Sequence, residues 1–475
     1  MRSSALYRTV ADATRPFRWR LELLAEALFI LAHARRRLAR RTISNRPVPA
    51  EPGRRESRTL LIVSYYSPPY KSVYGTQRIS RFAKYLSRMG WRVVFLTTSP
   101  RGESESDASA EALPTEVEVV RIAPIRPHPL RGKGEIPPDD FVYWIPPAVK
   151  AMQELLSRRQ VSVIMATVPP YSNAVAAAIC AKQWGVPLVT DFRDPWTRID
   201  VGWVLRRAWA KRVTANVERL VLKTSARIVM VDQLTDFDEF FVDTGHDIRA
   251  KTISILNGYD ESDFERLSEI ATQARSARRA GKFIISYVGS LYTKENAETL
   301  LKVLDAWLAP ARAGPDNVVF EYAGAYSSFL DGARNLSLEF KDHGFVSHEE
   351  AIMIRARSDV QLFAQPASFK PHVLSGKIYE MIRVGVPVLA LTASHGAVAR
   401  LIELTGSGRV VPPEDPNRAA QVLKGWYDEW KRHGTVSRQN ATVDLTEFSR
   451  ERLTARLDVM LRELCSTGSS DLAHH

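Results

Sequence analysis

The segment Ser375-Gly-Lys-Ile-Tyr-Glu380, followed by Gly385-Val-Pro-Val-Leu-Ala-Leu391, carries the residue types that a phosphate-binding helix start needs. Ser375 is placed to cap a helix, and Gly376 leaves room for a ligand against its first turn. Lys377 and Glu380 are three apart, so they share one helical face near that N-terminus. Gly385 then ends the helix, and Pro387 opens an apolar β-branched run that reads as a buried strand. Free backbone N–H groups, one lysine and one carboxylate suit a diphosphate together with a ribose diol. A buried helix with a solvated Lys–Glu pair has the same spelling, so this segment alone leaves both readings open.

The elements around it follow a regular order. From Leu60 onward, short β-branched runs alternate with longer helical segments, the pattern of βαβ units and parallel sheets. In the first half strands are expected near Leu60–Ser64, Val93–Thr97, Val119–Ile122, Val163–Thr167, Leu188–Asp191 and Ile228–Val231, with Ile253–Leu256 closing that half. In the second half they fall near Ile284–Val288, Val319–Ala323, Val360–Phe363, Val388–Leu391 and Arg409–Val411. The segment Glu261–Lys282 is rich in Arg, Ala and Ser and reads as the domain boundary. At 475 residues the chain exceeds a single core. The expected fold is therefore α/β, with two doubly wound Rossmann-like domains facing a cleft and ligands bound beyond the carboxyl ends of strands.

The order of the motifs resembles a known family. Gly289-Ser-Leu-Tyr-Thr-Lys294 follows the strand-like Phe283–Val288, Gly344-Phe-Val346 precedes a helix, and Ser358–Phe363 reads as the next strand before the Lys377/Glu380 segment. This resembles the C-terminal half of GT-B glycosyltransferases, specifically the large family 4 of retaining sugar transferases. In the N-terminal half, Leu61–Pro69, Gly75-Thr-Gln-Arg78 and Phe82–Leu86 look like that family's first strand, acceptor loop and first helix. Asp191-Phe-Arg-Asp-Pro-Trp196 is similar to a signature of one bacterial branch, and Asn257-Gly258 to the inter-domain turn. The resemblance covers roughly residues 59 to 460. It implies an acceptor domain over 59–265, a nucleotide-sugar donor domain over 280–435, and a C-terminal helix over 436–465 that crosses back to the first domain; residues 1–58, a basic extension and linker, lie outside the resemblance.

The family resemblance also implies roles. Lys294 matches the lysine that stabilises charge on the leaving diphosphate, and Gly289 lets the backbone approach the donor. An ordinary surface lysine is the bland alternative, although a helix start disfavours a cation unless an anion is near. Ser290 stands where family members commonly have an arginine, which leaves Lys377 or Arg78 to supply the missing cation. Glu380 matches the carboxylate that binds the ribose diol, while His372 stands where the family has a second glutamate. Ser375, Lys377 and Val346 complete the donor set, Val346 lying in the segment that reads the base edge. On the acceptor side are Gly75, Arg78, Asn173, Asp191, Arg193 and Trp196. Asp194 is the second catalytic candidate, as an acceptor or sugar ligand. Adjacent opposite charges in Asp191–Trp196 could equally form an internal salt bridge, with Arg193 as a structural clamp. The fold handles the diphosphate through helix dipoles and cations, so neither an obligatory metal nor a cofactor is expected.

Composition limits the alternatives. Charged residues at 25% and hydrophobic ones at 45% describe an ordinary globular protein. Cys180 and Cys465 are the only cysteines, which implies neither a disulfide framework nor a zinc site. The net charge of +13 is concentrated: residues 1 to 58 hold 14 arginines against five acids, leaving a mild body without a nucleic-acid module. Within that extension Trp19–Ala34 is mostly apolar but carries Glu22 and Glu26, and its uncharged core is shorter than the ~18–20 residues of a membrane span. Arg18, Glu22, Glu26, His33 and Arg37 form a narrow polar stripe on a helical projection. Such a basic amphipathic helix lies in an anionic membrane surface, or else packs on the body of its own chain or on a partner.

The combined expectation is a retaining glycosyltransferase on the cytosolic membrane face, moving a sugar from a nucleoside diphosphate to a glycan or lipid-linked acceptor of cell-surface polysaccharide or glycolipid synthesis. A catalytically silent GT-B scaffold protein and a nucleotide-sugar epimerase or hydrolase are the rival classes.

Overall fold

The computed structural model describes residues 58–70, 76–100, 102, 112–123, 137–198, 208–231, 240–242, 245–265, 281–291, 293–311, 317–325, 327–365, 374–438 and 443–470. Gly75, His372, and the extension before Arg58 lie outside them. The chain divides into two units: the first holds the described residues up to Val231, those between 240 and 255, and those from Ala455 on; the second runs from Leu256 to Thr454.

The first unit is built on strands β1 (Thr59–Val63), β2 (Arg92–Thr98), β3 (Glu118–Ile122), β4 (Val163–Val168), β5 (Leu188–Phe192), β6 (Arg227–Met230) and β7 (Thr252–Ser254). Its helices are α1 (Thr76–Arg88), α2 (Ile145–Arg158), α3 (Ser172–Trp184), α4 (Ala208–Thr224) and the short α5 (His246–Ala250). The strands pair in parallel in the order β3-β2-β1-β4-β5-β6-β7. Every residue of β1, β4 and β5 is buried, whereas the edge strands β3 and β7 are half-open. Central strands covered on both faces require the continuous β-branched runs that the sequence supplies.

The second unit repeats the plan with β8 (Phe283–Val288), β9 (Val318–Ala323), β10 (Glu339–Asp342), β11 (Val360–Ala364), β12 (Val388–Leu391) and β13 (Gly408–Val411). Its helices are α6 (Lys294–Ala311), α7 (His348–Arg357), α8 (Lys377–Val384), α9 (Ala397–Leu404) and α10 (Pro416–His433). The sheet is parallel throughout, in the order β10-β9-β8-β11-β12-β13. Phe283, Trp307 and Tyr427 meet edge to face in its core, with ring centroids 5.4 to 5.9 Å apart. The last helix, α11 (Arg450–Ser470), starts in the second unit, and its residues from Ala455 on belong to the first. There Asp458 accepts a hydrogen bond from Trp91 Nε1 at 2.6 Å, and Arg462 donates to the Met89 carbonyl at 2.8 Å.

Three features differ from the sequence expectation. Strand β10 is spelled Glu-Phe-Lys-Asp and sits at a sheet edge, too polar for a pattern that looks for apolar runs. The change of unit falls between Ile255 and Leu256, ahead of the Arg/Ala/Ser-rich segment. The reason is local pairing: Tyr259 donates its N–H to Phe448 at 3.1 Å and accepts from Arg450 at 2.8 Å, and a β-carbon on Gly258 would collide with the Phe448 carbonyl. Third, Ser375 does not cap α8. Gly376 precedes the helix with φ −57° and ψ −30°, already helical, and no side chain caps it. The Ser375 carbonyl instead accepts from Ile378 N at 3.2 Å. The other end behaves as read, with Gly385 closing α8 at φ +84°. Among the described residues no helix is long and apolar enough to cross a membrane.

Candidate functional site

In the second unit a polar cluster gathers at the carboxyl end of β8. Gly289 follows the strand at φ +140°, a conformation that L side chains rarely adopt, and a β-carbon there would lie 2.9 Å from Lys377 Nζ. Lys377, the first residue of α8, donates to Tyr287 Oη at 3.4 Å and lies 5.0 and 5.3 Å from the ring centroids of Tyr287 and Phe363. No carboxylate among the described residues pairs with it. Burial, helped by the nearby positive charge of Arg355, pushes the ammonium down to about 8. A desolvated cation beside a turn without a side chain has the chemistry to meet an anion.

One turn along α8, Glu380 is held on both oxygens. Oε1 is 2.9 Å from His348 Nε2, and Oε2 accepts from Arg355 Nη1 at 2.8 Å. Burial is the largest single influence and favours the neutral acid, yet the His348 hydrogen bond and the charges of Arg355 and His348 outweigh it, bringing the carboxyl down to about 2. His348 is raised in turn, first by its bond to Glu380, against burial, and further by the charges of Glu380 and Asp263. Asp263 Oδ2 stands 4.0 Å from His348 Nδ1. Arg355 reaches the other way as well: its Nη2 donates to the Val288 carbonyl at 3.2 Å, immediately before Gly289.

The remaining donor-side candidates fall around this cluster. Ser290 Oγ accepts from Ala325 N at 3.3 Å, tying the turn after β8 to the turn after β9. Val346 is half-buried against Val288, Ala323 and Ile354. Gly344 adopts φ +63°, and Phe345 beside it is 82% exposed. Lys294 opens α6 with its side chain 74% exposed, 3.6 Å from Glu298.

The acceptor-side candidates of the first unit require correction. Arg78 and Asp191 are both buried and form an interior ion pair: Arg78 Nη2 meets Oδ1 at 2.8 Å and also donates to the Ile255 carbonyl at 2.8 Å. Thr167 Oγ1 completes the carboxylate at 2.9 Å. Their charges satisfy each other inside the fold, so neither is an acceptor-facing group and Arg78 is not the missing phosphate cation. Asn173 is fully buried, accepting from Tyr65 N at 3.1 Å and donating to the Thr167 carbonyl at 2.9 Å, which makes it a clip between β1, β4 and α3. Trp196 is stacked on Tyr171 with centroids 4.6 Å apart and planes 5° off parallel, a packing role. Arg193 donates to the Val168 and Pro169 carbonyls, which is the structural clamp. Asp194 differs from these. No described residue donates it a hydrogen bond, and burial raises its carboxyl against the opposing charge of Arg193.

Sequence reasoning missed His348, Arg355, Tyr287 and Phe363. A usable signal existed for two of them. His348 and Arg355 are seven apart on one predicted helix, two turns, and so share a face.

Comparison with known proteins agrees with this fold. Residues 75–235 match the model of the glycosyl transferase 4-like domain. Among solved structures, the Anabaena protein HepE in complex with UDP and glucose is 15% identical, with 86% of this chain and 100% of that one covered and a TM-score of 0.58. A glycosyltransferase from Rickettsia africae is 16% identical, covering 89% and 100%, with a TM-score of 0.57. The catalytic domain of starch synthase IV from Arabidopsis thaliana, bound to ADP and acarbose, is 12% identical, covering 86% and 99%, with a TM-score of 0.55. A search of curated proteins gives no match. At these identities the likeness is one of fold: two Rossmann-like α/β units with parallel sheets, as in GT-B glycosyltransferases.

Proposed function

We propose that this chain is a glycosyltransferase that moves a sugar from a nucleoside diphosphate onto a glycan or lipid-linked acceptor, with retention at the anomeric carbon, in cell-surface polysaccharide or glycolipid synthesis. One observation carries the reading: Lys377, half-buried and without a carboxylate partner among the described residues, faces the side-chain-free Gly289 turn at a strand's carboxyl end, with the ionised Glu380 one helical turn away. The lysine takes the diphosphate and the glutamate takes the ribose hydroxyls. The glycosyl transferase 4-like match and the UDP- and ADP-bound structural likenesses support the same donor class.

In this account Lys294 swings from its exposed position onto the leaving diphosphate, and Asp194, protonatable through its burial, serves the acceptor hydroxyl. The diphosphate is held by amides and lysines without an obligatory metal, so turnover persists in EDTA. Residues 1–58 hold the enzyme on an anionic membrane surface, which co-sedimentation with anionic liposomes, full chain against one lacking residues 1–57, checks. The direct test of the function is a donor panel with lipid-linked and glycan acceptors, read as acceptor-dependent release of nucleoside diphosphate. Release without any acceptor would instead identify a hydrolase.

A further inference from the structure

Among the described residues each Glu380 oxygen receives one hydrogen bond, Oε1 from His348 and Oε2 from Arg355. A carboxylate offers about four lone-pair sites, two per oxygen. One site on each oxygen therefore stays open, and the two open sites lie as far apart as the two oxygens of one carboxyl group. That is the pattern a vicinal cis-diol matches, one hydroxyl to each oxygen. Both protein donors come from the same helix, α7, at its first turn and its last. Arg355 also grips the Val288 carbonyl, so the carboxylate and the Gly289 turn are tied to a single guanidinium. Asp263, whose Oδ2 stands 4.0 Å from the far nitrogen of His348, favours the doubly protonated ring through its charge, while the hydrogen bond goes to Glu380.

We propose that His348 and Arg355 are positioning residues for ribose recognition, fixing Glu380 so that its two open lone pairs meet the 2′- and 3′-hydroxyls while keeping it in register with the Gly289 turn. The inference rests on the nucleotide-donor reading of this site. It adds two residues outside the donor set read from the sequence, and a pH dependence. Among the described residues the charged groups facing His348 are Glu380 from α8, Asp263 from the segment after Tyr259, and Arg355 from its own helix. As pH rises through the elevated pKa of His348, the ring loses its positive charge, its hold on Glu380 Oε1 weakens, and so does diol recognition.

The test measures affinities of the full-length chain for UDP, 2′-deoxy-UDP, ADP and 2′-deoxy-ADP. Wild type should prefer the better-binding ribonucleotide over its deoxy form by about tenfold, the scale of one hydrogen bond to a charged group. His348→Gln should shrink that preference to about threefold or less while deoxy-nucleotide affinity holds, because it leaves Lys377 and the Gly289 turn untouched; Arg355→Lys should shrink it as well and, through the lost bond to the Val288 carbonyl, weaken both nucleotides. The wild-type preference should fall as pH rises above the ordinary imidazole range, because the pKa of His348 is raised, and His348→Gln should flatten that slope. Lys377 titration affects both nucleotides alike and cancels in the ratio. An unchanged ratio in His348→Gln, or equal loss of both nucleotides, would overturn the proposal. Absence of any nucleoside diphosphate binding by wild type would overturn the donor reading itself, a distinct result. If Arg355→Lys fails to fold, His348→Gln decides alone.

Discussion

The ammonium of Lys377 occupies the space beside Gly289 that a side chain would need: a β-carbon on Gly289 would lie 2.9 Å from Nζ. Two consequences of Gly289→Ala follow. Holding a non-glycine residue at φ +140° costs about 1–3 kcal/mol of stability. The displaced lysine no longer faces the strand end, so diphosphate affinity should fall at least about tenfold. Urea unfolding and calorimetric titration read the two effects separately. Retained affinity in a folded variant would mean that the anion does not approach at Gly289.

Lys377 gives diphosphate binding and bare stability opposite pH dependences. The ammonium is present below about 8 and lost above it, so wild-type affinity for a diphosphate should decline as pH rises through that value. Without ligand the sign reverses. The unfolded lysine keeps its proton up to about 10.5 and the folded one only to about 8, so between these values the unfolded state binds more protons and stability rises with pH. Lys377→Met should remove the affinity trend and reduce the stability trend, to which Lys251, also lowered by burial, contributes with the same sign. The readings are a pH series of titrations and a pH series of unfolding midpoints, and a variant that keeps the wild-type slopes would place the titrating group elsewhere.

Arg78→Met should destabilise the first unit strongly, by about 3–5 kcal/mol, because it strands the Asp191 carboxylate in the interior. The double change Arg78→Met with Asp191→Leu should recover much of the loss. Denaturation of both variants checks this. Wild-type stability with lost transfer in Arg78→Met would return the pair to an acceptor role.

The contrast between these positions marks what the sequence makes legible. The local placement of Lys377, Glu380 and Gly289 could be read because it is encoded nearby: a spacing of three on a helix, a glycine directly after a strand. Arg78 and Asp191 are 113 residues apart, and nothing in either segment tells that the fold brings them together in the interior. Asn173 was misread for the same reason, since its partners Tyr65 and Thr167 belong to other elements. The Rossmann-like plan was legible from buried central strands, while β10 was hidden by its polar edge position. Ser375 failed as a cap because Gly376 had already entered helical geometry, a backbone detail that residue types do not encode.

Lys294→Ala separates stability from chemistry. The exposed pair with Glu298 contributes only about 0–1 kcal/mol, so the unfolding midpoint should stay put. Turnover should fall about 10²–10³-fold if the lysine moves onto the leaving diphosphate. Steady-state kinetics checks it, and unchanged turnover would leave Lys294 as a solvated helix-start residue.

Binding of a nucleoside diphosphate to the second unit is the claim on which the rest stands. The measurement is a thermal-shift titration of the full chain with UDP, ADP and GDP, alongside Lys377→Met. At 100 times its dissociation constant the preferred nucleotide should stabilise wild type by about 2.7 kcal/mol and the variant far less. No shift with any nucleotide, or an equal shift in Lys377→Met, would contradict the account.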